Sequence, residues 1–361
     1  METAEYAVSN NLSSKPAFTW WVPIILQKRN RLISKLKKGK TKYWQRTHRY
    51  RIELPEIIQE ALEIDPKTDT TFWPDAINKE MRNILPAFEF SDDDEVPIGY
   101  EHIMCNMIFN IKRIVLVRKV RFVARGNLTD PPVESVYSSV VTRESVRIMF
   151  LVAALNGLDI LGADVQNAYI NAKTSKKVYM TTGPEFGPNT NRAAVIVQAL
   201  YGLKSSGGRW HDHLAAILME AGFKNSKADP DVWMQKAEKP NGFVYWEYVL
   251  CYVDDILAIS HNPQCILDVI AQQVTLKPGS IEEPKNYLGA NVSKYTIFDG
   301  NNQMPLKQVW TMSAQEYIKR AIEEIERELK VNGQYLLKKV EPRYPQGTTQ
   351  NSISRLIFVL R

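Results

Sequence analysis

Cysteine is scarce in this chain. Three residues out of 361, Cys105, Cys251 and Cys265, are an odd number without metal-ligand spacing. That excludes a disulfide framework and a zinc finger or knuckle, and it fits a reducing compartment. Long hydrophobic runs are missing too. No stretch approaches the roughly 18 to 20 apolar residues of a membrane span. The polar N-terminus has no signal-peptide core. The expectation is an intracellular protein with no membrane partner. Internal repeats and low-complexity tracts are absent, and net charge is small: 46 Lys and Arg against 40 Asp and Glu give +6. What the chain does have is length and 44% hydrophobic residues, enough for a large core and, at roughly 150 residues each, two or three domains.

The small net charge hides an uneven distribution. Lys28 to Arg51 carries eleven Lys and Arg and no acid, so the rest of the chain is net negative. A second acid-free stretch, His102 to Thr129, holds Lys112, Arg113, Arg118, Lys119, Arg121 and Arg125. Between them lies the acidic run Glu89, Asp92, Asp93, Asp94, Glu95. Phosphate binding depends on local cation density, so two basic blocks fit a polyanion partner. A solvated basic face gives the same pattern. Phe18, Trp20, Trp21, Tyr43 and Trp44 in or beside the first block suit base stacking, or packing of a linker on the main body.

Periodicity predicts a helix over 72–85, with Phe72, Ala76, Met81 and Leu85 on one side and Pro74 in its first turn. Strands follow over 108–125, in runs such as Ile114–Val117 and Val120–Arg125. A helix over 143–156 is closed by Gly157. The apolar run 158–165 reads as a core strand ending at Asp164. Strands are expected at 178–180 and over AVIVQ from Ala194. A helix carries Trp210, Leu214, Ile217, Leu218 and Ala221 and stops at Gly222. Residues 243–260 read as two apolar strands joined by a tight turn at Tyr252, Val253, Asp254 and Asp255. A helix after Asn262 and a strand within YLGANVSKY follow. The last helix, 314–330, opens with Ser313 and Glu316 in capping-box relation and carries the stripe Ile318, Ile322, Ile325, Leu329. The terminal NSISRLIFVLR suggests a chain that continues.

Asp164, Asp254 and Asp255 stand out by position. Carboxylates at the ends of apolar strands repel one another in a partly desolvated site and call for a positive partner. An Arg or Lys answers that need. So does a hard divalent cation, and all-oxygen donors without clustered His or Cys select Mg²⁺. Two such ions serve phosphoryl displacement. Asp is also simply a favoured turn residue.

These carboxylates sit in a longer ordered set. It runs Asp164-Val165-Gln166-Asn167-Ala168-Tyr169, Val178-Tyr179-Met180, Leu200-Tyr201-Gly202-Leu203-Lys204, Arg209-Trp210, Asp229-Pro230-Asp231 and Tyr252-Val253-Asp254-Asp255. The order resembles the reverse transcriptase of copia-type LTR retrotransposons. Lys119 to Gly126 is similar to that family's KARLVARG stretch. Trp73, Ala76, Glu80 and Met81 match its W-x-x-A-x-x-x-E-M helix. Tyr287-Leu288-Gly289 and the helix after Ser313 fit later blocks. The resemblance covers roughly residues 72 to 330.

The resemblance implies an α+β right-hand polymerase of fingers, palm and thumb, with a ferredoxin-like palm sheet. The domains expected are a basic, mostly helical leader over 1–70, fingers and palm over 71–290, and a partial, truncated thumb or connection over 291–361. The implied activity is RNA-directed DNA polymerisation, with RNA template, DNA primer and dNTPs as partners and two Mg²⁺ ions, replaceable by Mn²⁺, as cofactor. The implied location is the cytoplasm, in a virus-like particle, or the nucleus. Asp164, Asp254 and Asp255 are the implied metal ligands, Asp254 the surer of the pair. Lys119 and Arg121, sharing one strand face, would grip the triphosphate. Tyr169 would exclude a 2′-hydroxyl, Gly202 would lie in the nucleotide pocket, and Lys277 would protonate pyrophosphate. Tyr252 and Val253 would approach the primer end.

The chain departs from the family's YGLKQAPRxW pattern: Ser205-Ser206-Gly207-Gly208 replaces the residues that shape the pocket floor. It has no D-T/S-G protease motif and no RNase H carboxylate set. The rival expectation is an inactive remnant that only binds nucleic acid. A metal-dependent nuclease fits the carboxylates but not the turn sequence and the Tyr169 spacing.

Overall fold

The computed structural model describes residues 48–50, 52–90, 96, 98–112, 116–129, 136–298 and 305–331. The aromatic patch, most of the first basic block, Asp92 to Glu95 and the terminal NSISRLIFVLR lie outside them.

In chain order the strands and helices are β1 (His48–Arg49), β2 (Ile52–Glu53), α1 (Ile58–Ile64), α2 (Phe72–Ile84), β3 (Phe88–Phe90), β4 (Glu101–His102), β5 (Cys105–Lys112) and β6 (Val117–Ala124). Then come α3 (Arg143–Asn156), β7 (Asp159–Asp164), β8 (Lys173–Thr181), β9 (Ala193–Gln198), α4 (Ser206–Glu220), β10 (Lys224–Asn225), β11 (Val232–Glu238), β12 (Val244–Tyr252) and β13 (Asp255–Ser260). The chain continues through α5 (Pro263–Ala271), β14 (Asn286–Tyr287), β15 (Ala290–Phe298), β16 (Pro305–Ser313) and α6 (Gln315–Val331). The content is mixed helix and sheet. Among the described residues, no helix is long and apolar enough to cross a membrane.

Two compact units are distinguished, one within residues 1–78 and 107–121, the other within 79–106 and 122–361. In the first, Trp73 is fully buried. Its backbone N–H donates to Asp65 Oδ2 at 2.6 Å, and its ring meets Phe109 edge-on at 5.5 Å. The Arg118 guanidinium lies 4.3 Å from the Phe72 ring centre. Of the expected helical leader, the described part holds the β1–β2 hairpin as well as α1 and a 3-10 turn, Asp65–Thr68. The expected strand over Ile114–Val117 is corrected in part. Leu116 is a turn residue with φ 49°, and the strand begins at Val117.

The second unit is organised by an antiparallel sheet in the order β10-β11-β12-β13-β7. One face packs on Trp210, Leu214 and Leu218 of α4 and on Ile266, Leu267 and Ile270 of α5. The other packs on Val146, Phe150 and Ala153 of α3 and on Tyr287 and Val292 of the sheet β14-β15-β16. With both faces covered, every residue of β13 after Asp255 is buried. That is why its sequence is a continuous apolar run and not an alternating one. Helix α3 matches its sequence signals closely. The Thr142 hydroxyl accepts from the Ser145 N–H, and Gly157 closes the helix at φ 59°. A four-stranded sheet, β3-β9-β8-β4, packs Phe88, Phe122 and Phe186 edge to face. The Glu80 carboxylate accepts from the Phe122 N–H at 2.9 Å. On α6, Ser313 Oγ accepts from the Gln315 N–H, while Ile318, Ile322 and Ile325 are exposed.

Candidate active site

The β12–β13 hairpin turns in two residues. Tyr252 pairs with Asp255, leaving Val253 and Asp254 in the turn. In the next register, Asp255 lies directly opposite Asp164 on β7. Opposed residues of an antiparallel pair point to the same face, with Cβ atoms about 4.5 to 5.5 Å apart. Two strands that bury almost nothing but apolar side chains thus end in carboxylates side by side. The Val165 N–H donates to the Asp254 carbonyl at 2.8 Å and ties the turn to β7.

The free edge of β7 is covered by the segment after α5, as an exposed strand edge requires. Gly162 N–H donates to Glu282 O at 2.8 Å, Gln166 N–H to Thr275 O at 2.9 Å, and Lys277 N–H to Asp164 O at 2.8 Å. This pairing carries Lys277 to the carboxylates. Its Nζ donates to Asp164 Oδ2 at 2.9 Å. Ser280 Oγ accepts from the Asp164 N–H at 3.1 Å. A pocket of about 220 Å³ opens here, lined by Asp164, Asp255, Ser280, Glu282, Lys285 and Tyr287 among others.

The electrostatics follow from this crowding. Burial, then Asp254, then Asp164 push the Asp255 carboxyl up to about 6, with Lys277 opposing. The hydrogen bond to Asp164 raises Lys277 above its ordinary value. Partly buried oxygen donors with more negative than positive charge are a set that a hard divalent cation suits. Among the described residues no three His, Cys, Asp or Glu side chains are gathered as a metal-holding group. Asp164 and Asp255 line the pocket, and Asp254 does not.

The remaining candidates lie in the second unit, except Lys119 and Arg121 in the first. Tyr169 lies in the 3-10 turn Ala168–Asn171, half-buried, with its ring 4.8 Å from that of Tyr201. Asn171 Nδ2 donates to the Gln166 carbonyl at 3.1 Å and holds that turn. Gly202 has φ 92°, and a Cβ there would stand 2.0 Å from Ala124 O. The Ala124 N–H donates to Tyr201 O at 2.8 Å, and Lys204 Nζ to Thr129 O at 2.6 Å. The replaced stretch Ser205 to Gly208 forms the start of α4, where Ser206 Oγ donates to Leu200 O at 2.6 Å. Lys119 and Arg121 are exposed on one face of β6, alternating with buried Val120 and Phe122; both belong to the first unit. Tyr252 and Val253 are half-buried, Tyr252 against the α3-side core and Val253 against the α4-side core.

Several neighbours were given no role from the sequence, although Asp229 and Asp231 stand in its ordered set. Asp229 accepts from both the Thr142 N–H and hydroxyl at 3.0 Å. His211 Nε2 bonds Asp231 Oδ1 at 2.8 Å, and Asp231 O accepts from the Cys251 N–H at 3.0 Å. The Asp-Pro-Asp motif thus braces α3, α4 and β12 just before the turn. Its two acids, apolar neighbours aside, were the available signal. Ser280 and Glu282 carried none, because only the edge pairing of β7 brings them in.

Comparison with known proteins places the chain in a family. Residues 92–329 match the family model described as reverse transcriptase (RNA-dependent DNA polymerase). The chain is 31% identical over 183 residues to the retrovirus-related Pol polyprotein from transposon RE1 of Arabidopsis thaliana, covering 49% of this chain and 12% of that protein. It is 22% identical over 280 residues to the Pol polyprotein from transposon TNT 1-94 of Nicotiana tabacum, covering 74% and 20%. It is 29% identical over 152 residues to the transposon Ty1-NL2 Gag-Pol polyprotein of Saccharomyces cerevisiae, covering 40% and 9%. The match spans a tenth to a fifth of the length of these relatives. Helix α2 lies wholly ahead of the family match.

Proposed function

The chain belongs to the reverse transcriptase (RNA-dependent DNA polymerase) family, and from that premise we propose that it extends a DNA primer on an RNA template. The primer 3′-hydroxyl attacks the α-phosphate of a dNTP and pyrophosphate leaves. The observation that supports this most directly is the register of β13 on β7, which sets Asp255 opposite Asp164 beside the Asp254 turn.

In this reading the five-stranded sheet is the palm, the β5–β6 hairpin belongs to the fingers, and residues from 291 onward begin the thumb or connection. Residues 1–70 form a basic leader. Asp164, Asp254 and Asp255 would hold Mg²⁺, or Mn²⁺ in its place. Two such ions, when bound, activate the attacking oxygen and neutralise charge on the leaving group. Before they bind, Lys277 balances part of the carboxylate charge through Asp164. During turnover its ammonium donates a proton to the departing pyrophosphate. Lys119 and Arg121 grip the triphosphate by charge-assisted hydrogen bonds. The Tyr169 ring, backed by Tyr201, fills the space a 2′-hydroxyl needs. Gly202 lies in the nucleotide pocket, its turn packed tightly against Ala124. Tyr252 and Val253 meet the primer end.

Two assays on the same preparation test the proposal. Primer extension on poly(rA)/oligo(dT) with Mg²⁺ or Mn²⁺ should incorporate dTTP. Filter binding measures affinity for the same duplex across salt. Tight, salt-sensitive binding without any extension refutes the polymerase and favours a protein that only binds nucleic acid.

A further inference from the structure

We propose that Trp210 is a positioning residue that fixes the turn of the β12–β13 hairpin, and through it the register of Asp254 and Asp255. The inference rests on the polymerase reading for its kinetic consequence and on geometry alone for the anchoring.

A two-residue hairpin turn commonly needs positive φ at its first central position, where Gly, Asn or Asp is the usual occupant. This chain places Val253 there, at φ 56°. A β-branched residue in the left-handed region is strained and persists only when its surroundings impose it. The surroundings here are specific. The Trp210 indole Nε1–H donates to the Val253 carbonyl at 2.7 Å. Trp210 is almost wholly buried in the core that α4 makes against the sheet. The indole has one polar atom, and it is spent on this turn. The following carbonyl, that of Asp254, is held from the opposite side by the Val165 N–H. The turn is therefore pinned between α4 and β7, and of the two pins the indole is the one a side-chain substitution can remove.

The alternative is a tryptophan that merely fills the core. Packing alone does not call for an N–H aimed at the one strained carbonyl of the hairpin, and the two roles separate by experiment. Trp210→Phe keeps most of the ring and deletes the donor, leaving the half-buried Val253 carbonyl without its indole partner. The first readout is hydrogen exchange of the turn amides, 252 to 256, followed by mass spectrometry without metal or substrate. The second is steady-state dTTP incorporation on poly(rA)/oligo(dT). The expectation is faster exchange in the turn and a kcat lowered about 10- to 100-fold, with the dTTP KM changed less than about twofold. A Val253→Gly partner change relieves the positive-φ strain, so W210F should cost less kcat in that background than in wild type. If W210F does not fold, site-specific incorporation of the benzothienyl isostere at 210 removes the N–H at nearly constant volume. Unchanged exchange in the turn overturns the anchoring. Faster exchange with unchanged kcat overturns the positioning role. A wild-type protein that extends no primer refutes the polymerase reading instead, and the exchange comparison still decides whether Trp210 anchors the turn.

Discussion

Gly202→Ala is the most sharply defined perturbation of the scaffold behind the site. The new Cβ would stand 2.0 Å from Ala124 O and 2.6 Å from Val123 Cγ1, at φ 92°. Positive φ costs an alanine about 1–2 kcal/mol. Overpacking adds about 1–3 kcal/mol, and little of that can relax because the obstructing atom is backbone. Moving Ala124 away also strains its hydrogen bond to Tyr201 O, worth about 1 kcal/mol. The total, about 3–6 kcal/mol, is a large part of the roughly 5–15 kcal/mol that holds a protein folded. At about 2–4 °C per kcal/mol for a domain of this size, Tm should fall by roughly 6 to 24 °C. Gly279→Ala supplies the control. Gly279 also has positive φ, 71°, but nothing within 4 Å of the added Cβ, so only the conformational cost of about 1–2 kcal/mol applies. Thermal melts of the two variants, followed by circular dichroism, separate strain from collision. If Gly202→Ala melts within about 2 °C of Gly279→Ala, the close crossing of strand and loop is not what the glycine serves.

Three further perturbations probe the site. Tyr169→Ala should raise the use of rUTP relative to dTTP by about tenfold or more, read as the ratio of incorporation efficiencies; an unaltered ratio contradicts the steric role. Lys277→Met removes an ion pair whose side chains are 56% and 31% exposed. It should therefore change stability by less than about 1 kcal/mol while lowering dTTP incorporation about 100-fold, and full activity in that variant contradicts proton donation. The hydrogen bond to Asp231 raises the His211 pKa in the folded state. The pair's stabilisation is then complete below the ordinary histidine value of about 6.5 and is lost as pH rises through the folded value. The Tm advantage of wild type over His211→Gln should shrink as pH rises above the ordinary histidine value of about 6.5, and a constant gap refutes the linkage.

Local signals read well in this chain, and long-range ones did not. The C-terminal limit of α3 was legible because Gly157 is a capping residue that acts on its own helix; the Thr142 cap at its start was not singled out. The two-residue turn at Val253 and Asp254 was legible because apolar runs flank it. The exposure of Lys119 and Arg121 followed from strand alternation. The pairing of Asp255 with Asp164 joins residues distant in sequence, and no local periodicity encodes it. Lys277 reaches Asp164 only because the segment after α5 covers the edge of β7. Trp210 read as one more residue of an apolar stripe; that its N–H would meet the Val253 carbonyl depends on how α4 lies on the sheet. The apolar stripe of α6 was legible as a pattern, yet Ile318, Ile322 and Ile325 are exposed, because periodicity marks an apolar face without saying what covers it.

In the proposed reaction the carboxylates at the end of this sheet run nucleotidyl transfer. Its most direct test is the rate of dTTP incorporation on poly(rA)/oligo(dT) by wild type and by Asp254→Asn, measured with Mg²⁺ at matched protein and duplex concentrations. The account predicts extension by wild type and a loss of about 1,000-fold or more in the variant, with duplex binding retained. Equal incorporation by the two proteins would contradict it.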